Sequence, residues 1–210
     1  MADAIAIIGA GGHARVVAEA ILAGGLGLLG HVAPDVDQTG FLGTHLGDDV
    51  ALPHLVAKGV PFAIGIGFVD SAGAARRAAI LAQLSALGAR LITVVHPAAV
   101  FSPSAVLGEG SFLAAGAMLG TRSRLGIACI VNTGAIVDHD AQVGPNTHIA
   151  TGATLAGGIT LGRDVLIGAG AVLRQGVMVG DRAVVGAGSV VLRAIGADIT
   201  AVGNPAKERA

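Results

Sequence analysis

The chain has 210 residues, 53% of them apolar, with a formal net charge of −1 and a mean hydropathy of +0.75. Its 13 basic residues are scattered rather than striped, which excludes a nucleic-acid binder, and Gly, Asp, Arg or His breaks every apolar run short of a membrane span. Cys129 is the only cysteine, so no intrachain disulfide or cysteine metal cluster is expected.

The start, Met1-Ala2-Asp3, is acidic and lacks the basic region of a secretion signal, so a cytoplasmic protein is expected. Ala4 to Ile8 reads as a short buried strand. It runs into Gly9-Ala10-Gly11-Gly12-His13-Ala14 and an apolar helix through Ala23. Further strands are predicted at Leu28–Val32, Pro61–Ile66 and Arg90–Val95, with a helix from Ala72 to Leu87. The alternation implies a small parallel α/β domain, Rossmann-like, over residues 1–95. The glycine stretch fits the G-x-G-x-x-A fingerprint, with Asp35 at the expected distance downstream. The unit is half the size of a dinucleotide domain, so the helix start points to the phosphates of a nucleotide sugar rather than to NAD.

From Phe101 every sixth residue through Val191 is apolar, sixteen in a row, and the following residue is usually small. An apolar chain of random spacing does not hold such a phase. Three hexads per coil make a triangular prism whose aliphatic side chains stack inward, with coils about 4.8 Å apart. The narrow interior leaves no room for large aromatics, in keeping with the absence of Trp and Tyr. A parallel β-helix is therefore expected over residues 96–195, followed by a tail at 196–210.

Seven histidines punctuate the chain. His31, His45 and His54 read as surface residues, and His96 as the joint between domains. His139 lies in Val137-Asp138-His139-Asp140, where a coil corner carries three polar residues. Eighteen-residue stacking puts Gly157 over His139 and Gly158 over Asp140, leaving space above the imidazole for a thioester. The Gly157 N–H is then placed to act as an oxyanion donor, and an imidazole beside a carboxylate as a general base. A zinc site of three converging histidines is not expected, because only His139 and His148 lie in the repeat. No nucleophile elbow is present, and Cys129 occupies an inward slot as an inert thiol.

Four blocks carry a resemblance: Ile8-Gly9-Ala10-Gly11-Gly12-His13, His96-Pro97-Ala98-Ala99-Val100, Val131 through Asp140, and Val202-Gly203-Asn204-Pro205-Ala206-Lys207. On them the chain resembles the bacterial nucleotide-sugar N-acetyltransferases and sialic acid O-acetyltransferases of the PglD/NeuD type. The resemblance implies a left-handed β-helix, a homotrimer with sites between adjacent prisms, and acetyl-CoA as co-substrate without metal. It further implies transfer to the 4-amino group of a nucleotide-linked deoxysugar, by direct attack on the thioester. Sugar-hydroxyl acetylation and a non-catalytic nucleotide-binding module are the alternatives.

Carried over residue by residue, His139 is the base, Asp140 or Asp138 its support, and Gly157 the backbone donor. His148, Gly168, Ala169 and Ala187 match acetyl-CoA contacts. Gly11, Gly12, His13 and Asp35 match the nucleotide-sugar loop, and Asn132 a recurrent neighbour of the site. The family carries an acid where Ala33 stands, and Gly-Asn-Asn or Gly-Asp-Asn where Gly65-Ile66-Gly67 stand. Contacts to the nucleotide and sugar therefore differ here.

Overall fold

A computed structural model describes residues 4–209; the acidic start Met1-Ala2-Asp3 and Ala210 lie outside the described residues. The N-terminal unit is a three-stranded parallel sheet. β1 (Ile5–Ile8) lies between β2 (Leu28–Val32) and β3 (Phe62–Ile64). Alternation along β1 divides its side chains between two layers. Ile5 and Ile7 pack against α1 (Gly12–Ala23), while Ala6 and Ile8 pack with Leu52 of α2 (Leu52–Ala57) and Leu84 of α3 (Ser71–Ala86). Gly65, just past β3, lies so close to α1 that a β-carbon there would overlap Ile7 and come within 2.8 Å of Ala14.

Two-residue strands then build the prism, each paired in parallel with the strand 18 residues on, as Ile130 with His148 and Ile136 with Thr154. The first face holds Phe112–Leu113, Ile130–Val131, His148–Ile149 and Leu166–Ile167. The second holds Met118–Leu119, Ile136–Val137, Thr154–Leu155 and Val172–Leu173, and the third Arg124–Leu125, Gln142–Val143, Thr160–Leu161 and Met178–Val179. From Leu107 onward the predicted inward residues form one continuous core, with Cys129 fully buried within it. Phe101 on the first coil has only one neighbouring rung and stays 42% exposed. Burial pushes the Cys129 thiol up to about 11, as an inert core thiol requires.

Each corner turns through one residue in the left-handed region, so every sixth residue from Gly110 to Gly188 has positive φ. Glycine supplies most of these positions, but Asp140 holds one at φ 57° and Asn146 another at φ 54°. Short side chains able to bond locally tolerate this geometry, so chemistry can be placed at a corner without breaking the coil.

The segment predicted as one strand at Arg90–Val95 divides between the two units. Leu91 bridges Phe62 at the edge of the small sheet, whereas β4 (Val94–Val95) pairs with Phe112–Leu113 as the first rung of the prism. The expected tail at 196–210 is likewise built into the first face, where Thr200–Val202 pairs with Val184–Val185 and returns through Lys207–Glu208. The two units share a core. Val94, Phe112 and Ile130 of the prism pack with Val17, Ile21 and Leu42 of the N-terminal unit.

Arg77 of α3 crosses the joint and is 1% exposed. Its Nε donates to the Ile66 carbonyl at 2.6 Å, and its Nη1 donates to the Ala128 carbonyl at 2.7 Å and to the Asn146 side chain. Asn146 in turn donates to the Ala74 carbonyl and to Asp164. Arg77→Met would leave these buried acceptors unpaired, and we expect a loss of about 3–5 kcal/mol in urea unfolding. A loss below about 1 kcal/mol would show that the joint does not depend on this cation.

Candidate active site

At the corner between the second and third faces, Asp140 Oδ2 lies 2.9 Å from His139 Nδ1, and its other oxygen lies 2.9 Å from Arg122 Nε, one coil earlier. Nδ1 carries the proton and donates it to the carboxylate, so Nε2 is left as the lone-pair nitrogen. Asp138 does something else: its carboxylate accepts the His139 backbone N–H at 2.7 Å. Asp140, despite its short arm, is the carboxylate on the ring. The Asp140 hydrogen bond and the Asp138 charge together raise the His139 pKa above its ordinary 6.5.

The space expected above the imidazole is filled by the imidazole itself. A β-carbon on Gly157 would fall on His139 Nε2 and Cε1, so the ring lies directly against the next coil. The Gly157 N–H makes no hydrogen bond within the described residues, whereas the next amide, Gly158, donates to the His139 carbonyl at 2.8 Å. One corner thus presents a basic nitrogen and a free backbone donor side by side.

The corner between the first and second faces opens onto a cavity of about 560 Å³ at the joint between the units. Gly11, Gly12 and His13 at the start of α1 form one wall, Gly65 to Asp70 another, and Asn132 and His148 of the prism a third. His148 Nδ1 donates to the Phe68 carbonyl at 2.8 Å, so Nε2 is an acceptor and faces the Asn132 amide nitrogen at 3.3 Å. Burial, with the Arg77 charge adding to it, lowers its pKa to about 4. His13 is lowered to about 3, first by burial and then by the His148 and Arg77 charges, and its Nε2 is buried without a partner. Both rings are therefore neutral at pH 7, and any charge in the cavity comes from elsewhere.

Arg76 and Arg77 also line it, and the one lining acid, Asp70, is engaged by the Gly73 N–H at the start of α3. With α1 aiming its free amide groups inward, the cavity suits an anionic ligand. At the two positions where the resemblance implies polar residues, Ile66 and Gly67 line the cavity here. Ala33, in place of the family's acid, is buried and binds His45 through its carbonyl.

Gly168, Ala169 and Ala187 stack on the same corner as Asn132, two and three coils along, and the amides of Ala169 and Ala187 bond to nothing within the described residues. Asp35 is not brought to the cavity. It is exposed, without a side-chain hydrogen bond among the described residues, and the turned-in acid is Asp37. Asp37 accepts from Arg15 at 3.0 Å, from Thr39 and from the Leu42 N–H, and the hydrogen bonds from Leu42 and Thr39, then Arg15, hold its pKa near 2 against a desolvation that opposes them. His31, expected at the surface, is fully buried and accepts the Asp37 N–H. Sequence reasoning missed Arg77 and Arg122. The 18-residue stacking that placed Gly157 would also have placed Arg122 under Asp140.

Comparison with known proteins now bears on this arrangement. Residues 4–77 match the PglD N-terminal domain and residues 158–193 the bacterial transferase hexapeptide (six repeats). PerB from Caulobacter crescentus, solved in complex with CoA and GDP-perosamine, is 38% identical with a TM-score of 0.91, over 99% of this chain and 97% of that one. The chain belongs to the PglD/NeuD-type sugar acetyltransferases.

The acetyltransferase domain of PglB from Neisseria gonorrhoeae, in complex with acetyl coenzyme A, is 35% identical with a TM-score of 0.92 over the whole of both chains. WeeI from Acinetobacter baumannii is 25% identical with a TM-score of 0.87, over 98% of this chain and 99% of that one. Comparison with curated protein sequences finds no match. The prism is the left-handed β-helix of this family, and the protein is an acetyl-CoA-dependent acyltransferase. Among the described residues no group of acids, histidines or cysteine is placed to hold a metal, and no helix is long and apolar enough to cross a membrane.

Proposed function

We propose that the protein transfers the acetyl group of acetyl-CoA to the 4-amino group of a nucleotide-linked deoxysugar in the cytoplasm. The observation that carries this reading is the His139–Asp140 pair, at 2.9 Å, packed on the free Gly157 amide. His139 Nε2 takes a proton from the amine as its nitrogen attacks the thioester carbonyl carbon. The Gly157 N–H faces the thioester oxygen, where negative charge develops. The carbon–sulfur bond breaks, and His139 returns its proton to the departing thiolate. The cavity seats the nucleotide and sugar, its cationic wall and α1 meeting the diphosphate.

His139 and the cavity stand on different corners of one prism, and that supports a homotrimer. The first face is covered by the N-terminal unit, while the second presents an apolar stripe in which Val100, Met118 and Val172 are exposed. Three copies packed by their second faces around a threefold axis bring the cavity corner of one against the His139 corner of the next. Each site is then shared between neighbours, with the Gly168, Ala169 and Ala187 backbone of one prism opposite the His139 of another.

Free-thiol release from acetyl-CoA, measured against GDP-, UDP- and dTDP-linked 4-amino sugars, tests the reading. PerB was solved with GDP-perosamine, so that sugar is the first acceptor to try. We expect thiol release with at least one of them, with an N-acetylated product. Release with sialic acid alone would overturn the amine acceptor, and no release with any would overturn the enzyme.

A further inference from the structure

Arg122 and Asp140 occupy the same corner on successive coils, both in the left-handed region, at φ 60° and 57°. The Arg122 backbone is tied to the coil before it, its N–H donating to Ser104 Oγ at 3.1 Å. From there Arg122 Nε reaches Asp140 Oδ1 at 2.9 Å, and Oδ2 of the same carboxylate faces His139 Nδ1 at 2.9 Å. Among the described residues no backbone amide bonds that carboxylate, whereas Asp138 is anchored by the His139 N–H. Two other corner arginines pair with aspartates in a different way. Asp181 takes the Arg163 backbone N–H on one oxygen and its guanidinium on the other, and Asp198 gives both oxygens to Arg182. Only at Asp140 is the carboxylate divided between a cation and an imidazole.

We propose that Arg122 is a positioning residue: by holding one oxygen of Asp140 it aims the other at Nδ1, and so fixes the tautomer that leaves Nε2 free to take a proton. The inference rests on the acetyl-transfer reading of the His139 corner. A neutral imidazole carries its proton on whichever nitrogen has the better acceptor, so the tautomer follows the aim of Asp140. Asp140 is half-exposed, and without a second partner its side chain spreads over the staggered wells open to it in water. The Arg122 strut removes that freedom. An ion pair this exposed adds little to the stability of a fold, so its effect falls on the direction of the carboxylate. Asp140 and Asp138 are the charges that act on the ring, whereas Arg122 acts on Asp140.

Heteronuclear NMR of labelled imidazole nitrogens, read where His139 is neutral and assigned by the signal lost in His139→Asn, tests this without turnover. Wild type is expected to carry the proton on Nδ1, and Arg122→Gln a mixture with part of it on Nε2. In the same variant kcat should fall about two- to fivefold, the population shift an exposed ion pair can impose, with KM for acetyl-CoA unchanged. Arg122→Lys keeps the charge and should recover most of the tautomer and the rate. On an Asp140→Ala background Arg122→Gln should change neither. An unaltered tautomer in Arg122→Gln would overturn the proposal, as would a wild type with its proton on Nε2. So would the same rate loss on the Asp140→Ala background, which would make Arg122 a substrate contact or a structural charge. The expected tautomers without thiol release would support the positioning role and count against the acetyl-transfer reading alone.

Discussion

Replacing His139 with asparagine is expected to lower kcat by about 10²–10⁴-fold, the range for losing a positioned general base, with the thermal midpoint nearly unchanged. The ring is half-exposed and contributes nothing to the prism core, so its loss removes chemistry rather than packing. The base works only when unprotonated. Because Asp140 and Asp138 raise its pKa above 6.5, activity falls as pH drops through that raised value. The acid limb of the kcat/KM profile then lies above that of a free imidazole. Asp140→Asn removes the largest of the raising contributions, and the limb should move down while kcat falls. Near-wild-type activity in His139→Asn, or a limb that does not respond to Asp140→Asn, would refute the assignment.

Gly157→Ala carries the second large effect. Its methyl group lands on His139 Nε2 and Cε1, so the ring must swing out and Nε2 leaves its place beside the Gly157 amide. A displacement of about 1 Å at a reacting group costs roughly a hundredfold in rate, and we expect at least that loss in single-turnover measurements. Gly158→Ala is the control. It has φ of +69°, and nothing lies within 4 Å of the added carbon, so only backbone strain of about 1–2 kcal/mol is expected. Ala128 already occupies the equivalent left-handed position at φ 55°. If the two variants lost activity equally, the contact between Gly157 and the imidazole would have no part in the reaction.

The prism was legible because a single step of six fixes each residue's direction, and a single step of 18 fixes its neighbour on the next coil. That arithmetic places Gly157 at His139, yet it overstates the room between them, since spacing says nothing of rotamers. The N-terminal unit has no comparable rule. A count of residues from the glycine fingerprint selects Asp35, whereas Arg15, Thr39 and the Leu42 amide turn Asp37 inward. Arg90–Val95 reads as one apolar strand because nothing in its composition marks the residue at which it leaves one sheet for another. Arg77 resembles a solvated helix charge, since its acceptors come from residues 66, 128 and 146, far away along the chain.

The shared core at the joint limits how such proteins can be rebuilt. The N-terminal unit and the prism look like interchangeable modules, but Val94, Phe112 and Ile130 belong to both. A chimera spliced at residue 95 would inherit a lobe shaped for a different first face. Exchange of acceptor specificity between relatives should therefore succeed only when those outward-facing side chains travel with the lobe, together with Asn146, which receives Arg77.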